Sequence, residues 1–466
     1  MISFKQPQKT FPKAIPFSKI LGPSIILLGL GLGSGEVILW PYLTSNYGMG
    51  IIWAAVVGIL FQFFINMEIE RYSLLRGESI IVGYYRKFKH VTIWLLFSTF
   101  IPWIWPGIVA ASAKIFGSML QIKEFNYIGI FLLIIIGIIL SGGKILYKTI
   151  ERFQTILIIV SIPTIIFLTF YLSDSKDYEN LFKGFVGQGD NYFLIPAGIS
   201  LATLLSAFAY SGAAGNLNLA QSYYVREKGY GMGKYVGRIT GLFNSHKEKV
   251  TLSGYTFPVN KDSRREFKKW WRMVNLEHFL VFFLLGATTI VLLSFLSYST
   301  THNLNGQFKD IDFLFFESNA ISQKAGNFFG ILFLLICGFT LFGTQLTVMD
   351  ATSRILAETS VITFNKKLKE NQIPRIYYIF LWLQIIAGII IFLINFGQPL
   401  ELLIIAAVLN AFAMFVHTGL SLWTNLTLLE KEFRPSLPRT VFLFLIFATY
   451  GIFSCYTIYI EILKLI

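Results

Sequence analysis

Charged side chains are scarce in this sequence. Only 14% of its 466 residues are Asp, Glu, Lys or Arg, whereas soluble domains carry about 25%. A soluble chain of this length would form two or three domains, each covered by polar side chains. With 55% hydrophobic residues, among them 46 phenylalanines, the sequence has too few polar residues for such surfaces. The composition therefore excludes a soluble globular protein and predicts an integral membrane protein.

Cysteines and catalytic motifs are also scarce. The two cysteines, Cys337 and Cys455, lie in apolar segments, which argues against a disulfide framework or a cysteine-based metal site. Residues 1–19 lack the apolar core and the small-residue cleavage site of a signal peptide. The sequence contains no H-E-x-x-H motif, no phosphate-binding loop and no recognisable Ser–His or paired-Asp arrangement. We therefore expect neither an enzyme nor an ATP-driven pump, and we expect no cofactor.

Long apolar segments, in contrast, are abundant. A helix needs about 20 mostly apolar residues to cross a bilayer, and no segment has the period-two alternation of a membrane β-barrel. The sequence therefore predicts an all-α integral membrane protein with about eleven transmembrane helices, which we number as spans 1 to 11. They cover residues 18–46, 50–73, 92–118, 126–146, 153–173, 193–224, 274–297, 326–349, 376–397, 400–428 and 438–463.

The distribution of Lys and Arg predicts the orientation of the spans. Cytoplasmic loops of membrane proteins are enriched in these residues. With the N-terminus in the cytoplasm, most of the 39 Lys and Arg lie inside, and the exceptions are Lys114, Lys123, Lys176, Lys183, Lys309, Lys324 and Lys464. A cell-membrane protein of this topology has a cytoplasmic tail at 1–17, an extracytoplasmic loop at 175–192 and an extracytoplasmic C-terminus. The basic cytoplasmic loop at 225–273 is interpreted as a topology anchor that faces anionic lipid; we expect no nucleic-acid partner and no obligate protein partner.

Two spans contain clusters of poor helix formers at mid-membrane. Span 1 contains GLGLGSGEVILWP, from Gly29 to Pro41, and span 6 contains SGAAGN, from Ser211 to Asn216. The second cluster lies five spans after the first, an odd number, so the second half would be inserted upside down relative to the first. This pattern is typical of inverted-repeat transporters with discontinuous helices. It predicts one five-helix repeat at 18–174, a second at 193–428 and an extra transmembrane helix at 437–463.

Glu36 strengthens the functional interpretation of the first cluster. Glycines in membrane helices commonly serve close helix packing, and the glycines of span 1 alone would favour that reading. A carboxylate at the bilayer centre is costly, however, and usually faces a partner or a water-filled path. A helix broken in hydrocarbon also survives only where it lines a cavity. We therefore predict that the two breaks face each other and form a substrate site that includes Glu36 and Asn216.

At these residues the sequence resembles the Nramp family of divalent-metal transporters, which have the LeuT-type fold. The similarity is distant but covers most of the chain, and it is carried by LGPSIILLGLGLGSGE, EIERYSLLRGESIIVGYYRKF and GNLNLAQS. The resemblance implies a fold with broken helices 1 and 6 and a secondary transporter that moves a divalent cation of the Mn²⁺, Mg²⁺ or Fe²⁺ class by alternating access.

The resemblance also has departures at the residues that bind metal in the family. The family's metal-binding Asp and Asn of span 1 fall on Gly33 and Glu36, and its Met of span 6 falls on Ala213. The family's motif His falls on Gly215, while its Asn is kept as Asn216. Without the methionine sulfur, the remaining ligands are side-chain oxygens and backbone carbonyls, which suit a harder ion. Span 3 lacks the acidic residues that the resemblance would place on a proton route, so the resemblance does not imply proton coupling.

Further polar residues inside the spans are candidates for binding, coupling or gating. A membrane-buried polar residue is a functional candidate, although hydrogen bonding to a neighbouring helix is the alternative in each case. Asn410 is a candidate site residue in span 10, and the candidates for coupling or gating are Thr344, Gln345, Asp350, Arg354 and His417. The i,i+4 spacing of Asp350 and Arg354 equally fits a structural ion pair at a helix end.

A second function class fits the same pattern. Amino-acid permeases also have small-residue breaks in their first span, where backbone N–H groups hold a substrate carboxylate. Glu36 would then pair with a substrate amine. The sequence therefore leaves an amino acid or another small organic solute as the alternative to a cation.

Overall fold

A computed structural model describes residues 6–16, 20, 22–142, 146–237, 252–302, 304 and 308–465 of the chain. Within this part of the chain the secondary structure is helical, apart from two isolated β-bridges. The predicted all-α class is therefore confirmed. Parts of the predicted tail 1–17 and of the predicted loop 225–273 lie outside the described residues.

The first eight helices correspond to spans 1 to 5. They are α1 (Pro23–Gly31), α2 (Trp40–Tyr47), α3 (Ile52–Arg76), α4 (Ile80–Lys87), α5 (Val91–Trp103), α6 (Gly107–Met119), α7 (Phe125–Gly142) and α8 (Leu146–Leu172). α5 and α6 together form span 3, and their junction lies at Pro106, which cannot donate a helical hydrogen bond. α4 is a short helix between spans 2 and 3.

The remaining helices include one in each of the two predicted loops. They are α9 (Ser175–Phe185), α10 (Leu201–Ala209), α11 (Gln221–Lys228), α12 (Lys261–His278), α13 (Gly286–Thr301), α14 (Phe313–Ala325), α15 (Asn327–Thr363), α16 (Ile373–Leu393), α17 (Pro399–Leu428) and α18 (Leu437–Leu465). Reading 225–273 as a loop was thus partly wrong. Asn260 accepts a hydrogen bond from the backbone N–H of Ser263 and caps α12 inside this segment.

Ten segments of the described residues are helical, long and apolar enough to cross a membrane. They match ten of the predicted spans. Span 6 is absent from these ten because its helix is divided into α10 and α11, each of which is too short to cross a bilayer. The chain is therefore a multi-pass membrane protein with a discontinuous span 6. The bounds of the two repeats and the side of the membrane on which each terminus lies stay predictions.

Span 1 is interrupted less severely than span 6. A turn at Leu32 and Gly33 follows α1, a π-helical segment covers Ser34–Leu39, and α2 continues the span. A π-helical turn holds more residues than an α-helical turn, so it changes the direction of the side chains that follow. In span 6 the backbone leaves the helix at Tyr210 and returns only at Gly215, in a 3₁₀ segment that leads into α11.

Candidate functional site

The break in span 6 is stabilised by a side chain from span 2. Ala214 and Gly215 have φ values of +64° and +50°, a left-handed backbone that ends the hydrogen-bond ladder of the helix. Gln62 on α3 donates from Nε2 to the carbonyl of Ala209 at 2.8 Å and accepts from the N–H of Ala214 at 3.0 Å. Its carboxamide thus replaces helical hydrogen bonds that the break removes. Gln62 is a polar residue within an apolar helix, and this signal could have identified it from the sequence.

The interrupted part of span 1 packs directly on this break. A Cβ atom on Gly31 would lie 3.0 Å from the backbone of Gly212, and a Cβ on Gly35 would overlap the carbonyl of Tyr210. The indole N–H of Trp40 donates to the hydroxyl of Ser211 at 3.0 Å. The glycines therefore serve close approach of two backbones, and the two clusters identified in the sequence lie against each other.

Three asparagines bring unpartnered oxygens to the break. Asn216, Asn218 and Asn410 are fully buried, and the Oδ1 atom of each has no hydrogen-bond donor among the described residues. The Nδ2 atom of Asn218 donates to the carbonyl of Gly215 at 3.4 Å, and a Cβ on Gly215 would overlap Oδ1 of Asn410. Glycine at 215 therefore leaves room for the Asn410 carboxamide. The amide oxygens of Asn218 and Asn410 lie beside the same unwound backbone, next to Asn216.

The amide nitrogen of each of these asparagines donates hydrogen bonds. These bonds fix the direction of the amide oxygens. Nδ2 of Asn216 donates to the hydroxyls of Ser98 and Thr99 on α5, at 2.8 and 2.9 Å. Nδ2 of Asn410 donates to the hydroxyl of Tyr210 at 3.2 Å. The ring of Tyr210 in turn stacks on Trp103, with ring centroids 5.9 Å apart. Sequence reasoning missed Asn218, Ser98 and Thr99, although Asn218 stands two residues after Asn216 in the sequence.

Glu36 faces a different helix from the one that the sequence suggested. Its carboxylate is fully buried and accepts a hydrogen bond from Thr289 on α13 at 2.6 Å, while its second oxygen, Oε1, is unpartnered. A Cβ on Gly286 would lie 3.7 Å from Oε1. The described contacts therefore join Glu36 to span 7, and they do not join it to Asn216. Thr289 had no distinguishing signal in the sequence.

Gly33 and Thr344 lie together where span 1 meets span 8. A Cβ on Gly33 would overlap the side chain of Thr344, and the hydroxyl of Thr344 donates to the carbonyl of Gly29 at 2.9 Å. Gln345 is buried on the same helix, and Ala213 is buried within the break of span 6. The contact between Thr344 and span 1 is a packing contact. A coupling role for Thr344 and Gln345 stays a prediction. Ala213 contributes backbone atoms to the break and no ligand side chain.

His417 is fully buried on α17, seven residues after Asn410, a separation of about 10 Å along a helix. Its backbone carbonyl accepts a hydrogen bond from Tyr84 on α4 at 3.3 Å, and Tyr84 also contacts Ser421 at 2.5 Å. His417 therefore lies beside α4, about two turns along α17 from Asn410.

Asp350 and Arg354 belong to a buried ionic network. Nε of Arg354 lies 2.7 Å from Asp350, its Nη1 contacts Glu227 on α11, and Tyr377 on α16 donates to Asp350 at 2.9 Å. A second pair, Arg226 with Glu358, lies 3.2 Å apart and again joins α11 to α15. The network ties the second half of span 6 to spans 8 and 9, and Glu227, Arg226 and Glu358 were not predicted to take part.

The described residues contain no group of three or more His, Cys, Asp or Glu side chains that could hold a metal ion. A cation at the break would instead be held by the amide oxygens of the asparagines and by backbone carbonyls. Such neutral oxygen ligands suit Mg²⁺, Ca²⁺ or Mn²⁺ better than softer ions.

No protein-family profile and no curated protein matches the sequence. Solved structures are similar in fold at low identity. A mutant of the Eremococcus coleocola manganese transporter matches 97% of this chain and 89% of its own at 12% identity, with a TM-score of 0.70. MhsT in complex with L-phenylalanine matches 93% of this chain and 97% of its own at 13% identity, with a TM-score of 0.56.

A further similar structure is Mhp1, a transporter of the nucleobase-cation-symport-1 family. It matches 94% of this chain and 84% of its own at 11% identity, with a TM-score of 0.50. The three structures are a manganese transporter, a complex with L-phenylalanine and a transporter with bound bromovinylhydantoin, so the likeness shows the fold and does not select a substrate. The chain is an all-α, multi-pass membrane protein with the LeuT fold.

Proposed function

We propose that the protein is a secondary transporter that moves a divalent metal cation across the cell membrane by alternating access. The observation that carries this proposal is the set of buried, unpartnered oxygens of Asn216, Asn218 and Asn410 at the break of span 6. A buried acceptor without a donor is unfavourable, and a bound cation would satisfy several such acceptors together. The donors that carry this proposal are oxygens, which favours a hard cation of the Mg²⁺ or Mn²⁺ class as the substrate.

Glu36 adds a buried carboxyl group to the interrupted span 1. One of its oxygens accepts a hydrogen bond from Thr289, and the other, Oε1, is unpartnered. When ionised, this group would stabilise a cation at the break without direct contact, because charges interact strongly in a low-dielectric interior. The distant sequence resemblance to the Nramp family and the fold of the manganese transporter agree with this substrate class. The proposal also includes the predicted topology, with a cytoplasmic N-terminus and lipid as the surrounding partner.

One observation favours an organic solute as a second candidate. The stacked rings of Trp103 and Tyr210 lie at the break, next to Asn410, and such rings could contact an apolar side chain of a substrate. MhsT, a neighbour in fold, was solved with L-phenylalanine. In this alternative the asparagine oxygens would accept hydrogen bonds from a substrate amine.

A ligand screen by thermal unfolding separates the two candidates. A ligand that binds the folded protein alone stabilises it, by about 2.7 kcal/mol at 100 times its Kd. We expect Mn²⁺ or Mg²⁺ to raise the unfolding temperature of the purified protein, and Asn410→Ala to remove that increase. Asn395→Ala, which changes an exposed asparagine after α16, is the matched control. An increase with amino acids and none with cations would favour the organic solute.

A further inference from the structure

A groove on the membrane-facing surface lies between α8 of span 5 and α15 of span 8. It has a volume of about 570 Å³ and is lined at one end by Lys148, Thr149 and Arg152. Ile139 of α7 and Leu346 of α15 belong to its walls. The lining does not include the asparagines of the break, so this groove is separate from the proposed cation site.

A second groove continues the first one along the same two helices. It has a volume of about 250 Å³, and Ile156 of α8 lines both grooves. Its lining is mostly apolar and includes Val160 on α8 and Ile336 and Phe339 on α15. From residue 148 to residue 160 the helix rises about 18 Å, close to the half-thickness of the hydrocarbon core of a bilayer. The two grooves together therefore extend over about one leaflet, and we call them the span 5–8 groove.

Close packing of α8 on α15 forms the floor of the span 5–8 groove. Gln154 donates from Nε2 to the carbonyl of Gly343 at 2.9 Å and to the hydroxyl of Thr347 at 2.6 Å. A Cβ atom on Gly343 would overlap the side chains of Phe153 and Leu157. Hydrogen bonds and a small residue thus hold the two helices together behind the groove, which makes the groove a defined part of the fold.

One face of α8 supplies both the polar end and the apolar length of the groove. Lys148, Arg152, Ile156 and Val160 follow each other at intervals of four residues, which places them in one row on a helix. All four side chains are exposed. Along this row two charged groups are followed by two apolar ones. A phospholipid has the same order of polarity from its headgroup to its acyl chain.

The two basic side chains of this row are not neutralised by a carboxylate. Among the residues that the structure describes, neither Lys148 nor Arg152 forms an ion pair. Glu151, the acidic residue beside them in the sequence, is paired with Lys228 of α11 at 2.7 Å. Lys and Arg at helix ends commonly extend to the membrane surface without a specific ligand. Here they stand at the end of an apolar groove, and basic pockets between cytoplasmic helix ends bind anionic lipid headgroups.

We propose that the span 5–8 groove binds one anionic phospholipid, with its phosphate at Lys148 and Arg152 and one acyl chain along Ile156 and Val160. A guanidinium donates two parallel hydrogen bonds to a phosphate, and the lysine ammonium adds a second positive charge. A zwitterionic headgroup has a cation of its own, which these two charges repel, so charge complementarity selects an anionic lipid. With the predicted topology, the basic end faces the cytoplasmic leaflet. The inference does not depend on the transported substrate.

Native mass spectrometry of the full-length protein compares phosphatidylglycerol with phosphatidylcholine of the same acyl chains. We expect the wild type to bind one phosphatidylglycerol at least tenfold more tightly than phosphatidylcholine, and Lys148→Gln/Arg152→Gln to weaken this binding at least tenfold. Lys366→Gln/Lys367→Gln removes the same charge from two exposed lysines after α15 and is the matched control. Wild-type affinity in the first double variant, or equal losses in both, would overturn the inference.

A phosphatidylglycerol with a photo-reactive group in the middle of one acyl chain locates the bound lipid. We expect cross-links to α8 and α15 near Val160 and Phe339, and at least fivefold fewer of them in Lys148→Gln/Arg152→Gln. Val160→Trp fills the apolar part of the groove and should also reduce them at least fivefold. Val441→Trp, at an exposed valine of α18, is the matched control. Cross-links spread evenly over the membrane-facing helices would refute the site.

Competition separates a lipid from a soluble anion. An excess of inorganic phosphate should leave the bound phosphatidylglycerol in place, because burial of the acyl chain contributes about 0.8 kcal/mol for each CH₂ group. Displacement of the lipid by phosphate would assign Lys148 and Arg152 to a soluble anion and would overturn the inference.

Discussion

At the scale of single residues, the proposed cation site depends on small side chains that leave room for polar ones. Gly215 leaves space for the carboxamide of Asn410, and Gly35 lets span 1 approach the carbonyl of Tyr210. Gln62 bonds to both sides of the break. Each of these residues shapes the position of an oxygen, and Asn216, Asn218 and Asn410 supply the oxygens themselves.

A substitution at Ala213 tests which ions the proposed oxygen-lined site prefers. A methionine at 213 would add a soft sulfur to the break, and soft ligands favour softer ions. We expect Ala213→Met to raise the affinity for Cd²⁺ relative to Mn²⁺ at least tenfold, measured by competition between the two ions for binding. Ala207→Met, at a buried position on α10, controls for added bulk. An unchanged ion ranking would count against the position assigned to Ala213 in the site.

The sequence indicated which buried polar residues are candidates, but it did not indicate which helices their side chains contact. It singled out Glu36, Asn216 and Asn410 as candidates because polar groups stand out in apolar spans. It did not predict that Glu36 would face Thr289. The π-helical segment from Ser34 to Leu39 is the reason, because each residue added to a helical turn rotates the following side chains by about 100°. Nothing in the sequence distinguishes a π-helical turn there from a complete unwinding.

At the scale of elements, the two halves of span 6, α10 and α11, have different contacts. α10 ends at the break, and α11 is joined to spans 8 and 9 through the ionic contacts of Arg354, Glu227 and Tyr377. The prediction of a break in span 6 was correct because glycine and alanine in left-handed or extended backbone cannot continue a helix. The connection of α11 to α15 could not be predicted, since it depends on side chains more than 100 residues apart in the sequence.

The geometry of the break itself can be tested at Gly215. A side chain at this position meets a left-handed backbone, which costs about 1–2 kcal/mol, and overlaps the Asn410 oxygen. We expect Gly215→Ala to weaken cation binding at least tenfold, measured by calorimetry on purified protein. Gly198→Ala, where φ is also positive but a Cβ meets no atom within 4 Å, is the matched control. Equal losses in both variants would show that backbone strain alone is responsible.

The ionic network predicts a conformational effect. Removing one partner of a buried ion pair is destabilising, by about 3–5 kcal/mol. Because Arg354 joins α11 to α15, we expect Arg354→Gln to favour opening on the side of this network, seen as faster labelling of a cysteine introduced at Ser222. Arg264→Gln, which breaks an exposed pair with Glu432, should have little effect. Unchanged labelling in Arg354→Gln would assign the network a purely structural role.

At the scale of the whole molecule, the distribution of Lys and Arg predicts the membrane topology. The fold agrees with the predicted spans, but the side on which each loop lies follows from Lys and Arg alone. In a background without Cys455, an impermeant maleimide added to intact cells should label Lys176→Cys in α9 and leave Lys367→Cys after α15 unlabelled. Both positions are exposed in the structure. The reverse pattern would invert the orientation proposed for the transporter.

The central claim is a cation site at the break of span 6, and uptake into proteoliposomes tests it most directly. Liposomes containing a metal-sensitive dye would be given Mn²⁺, Mg²⁺ or Ca²⁺, with the wild type, Glu36→Gln, Asn410→Ala and the control Asn395→Ala. We predict uptake of at least one of these ions by the wild type and the control, at least tenfold weaker apparent affinity in Asn410→Ala, and no uptake in Glu36→Gln. No uptake by the wild type, or full uptake by both site variants, would contradict the account.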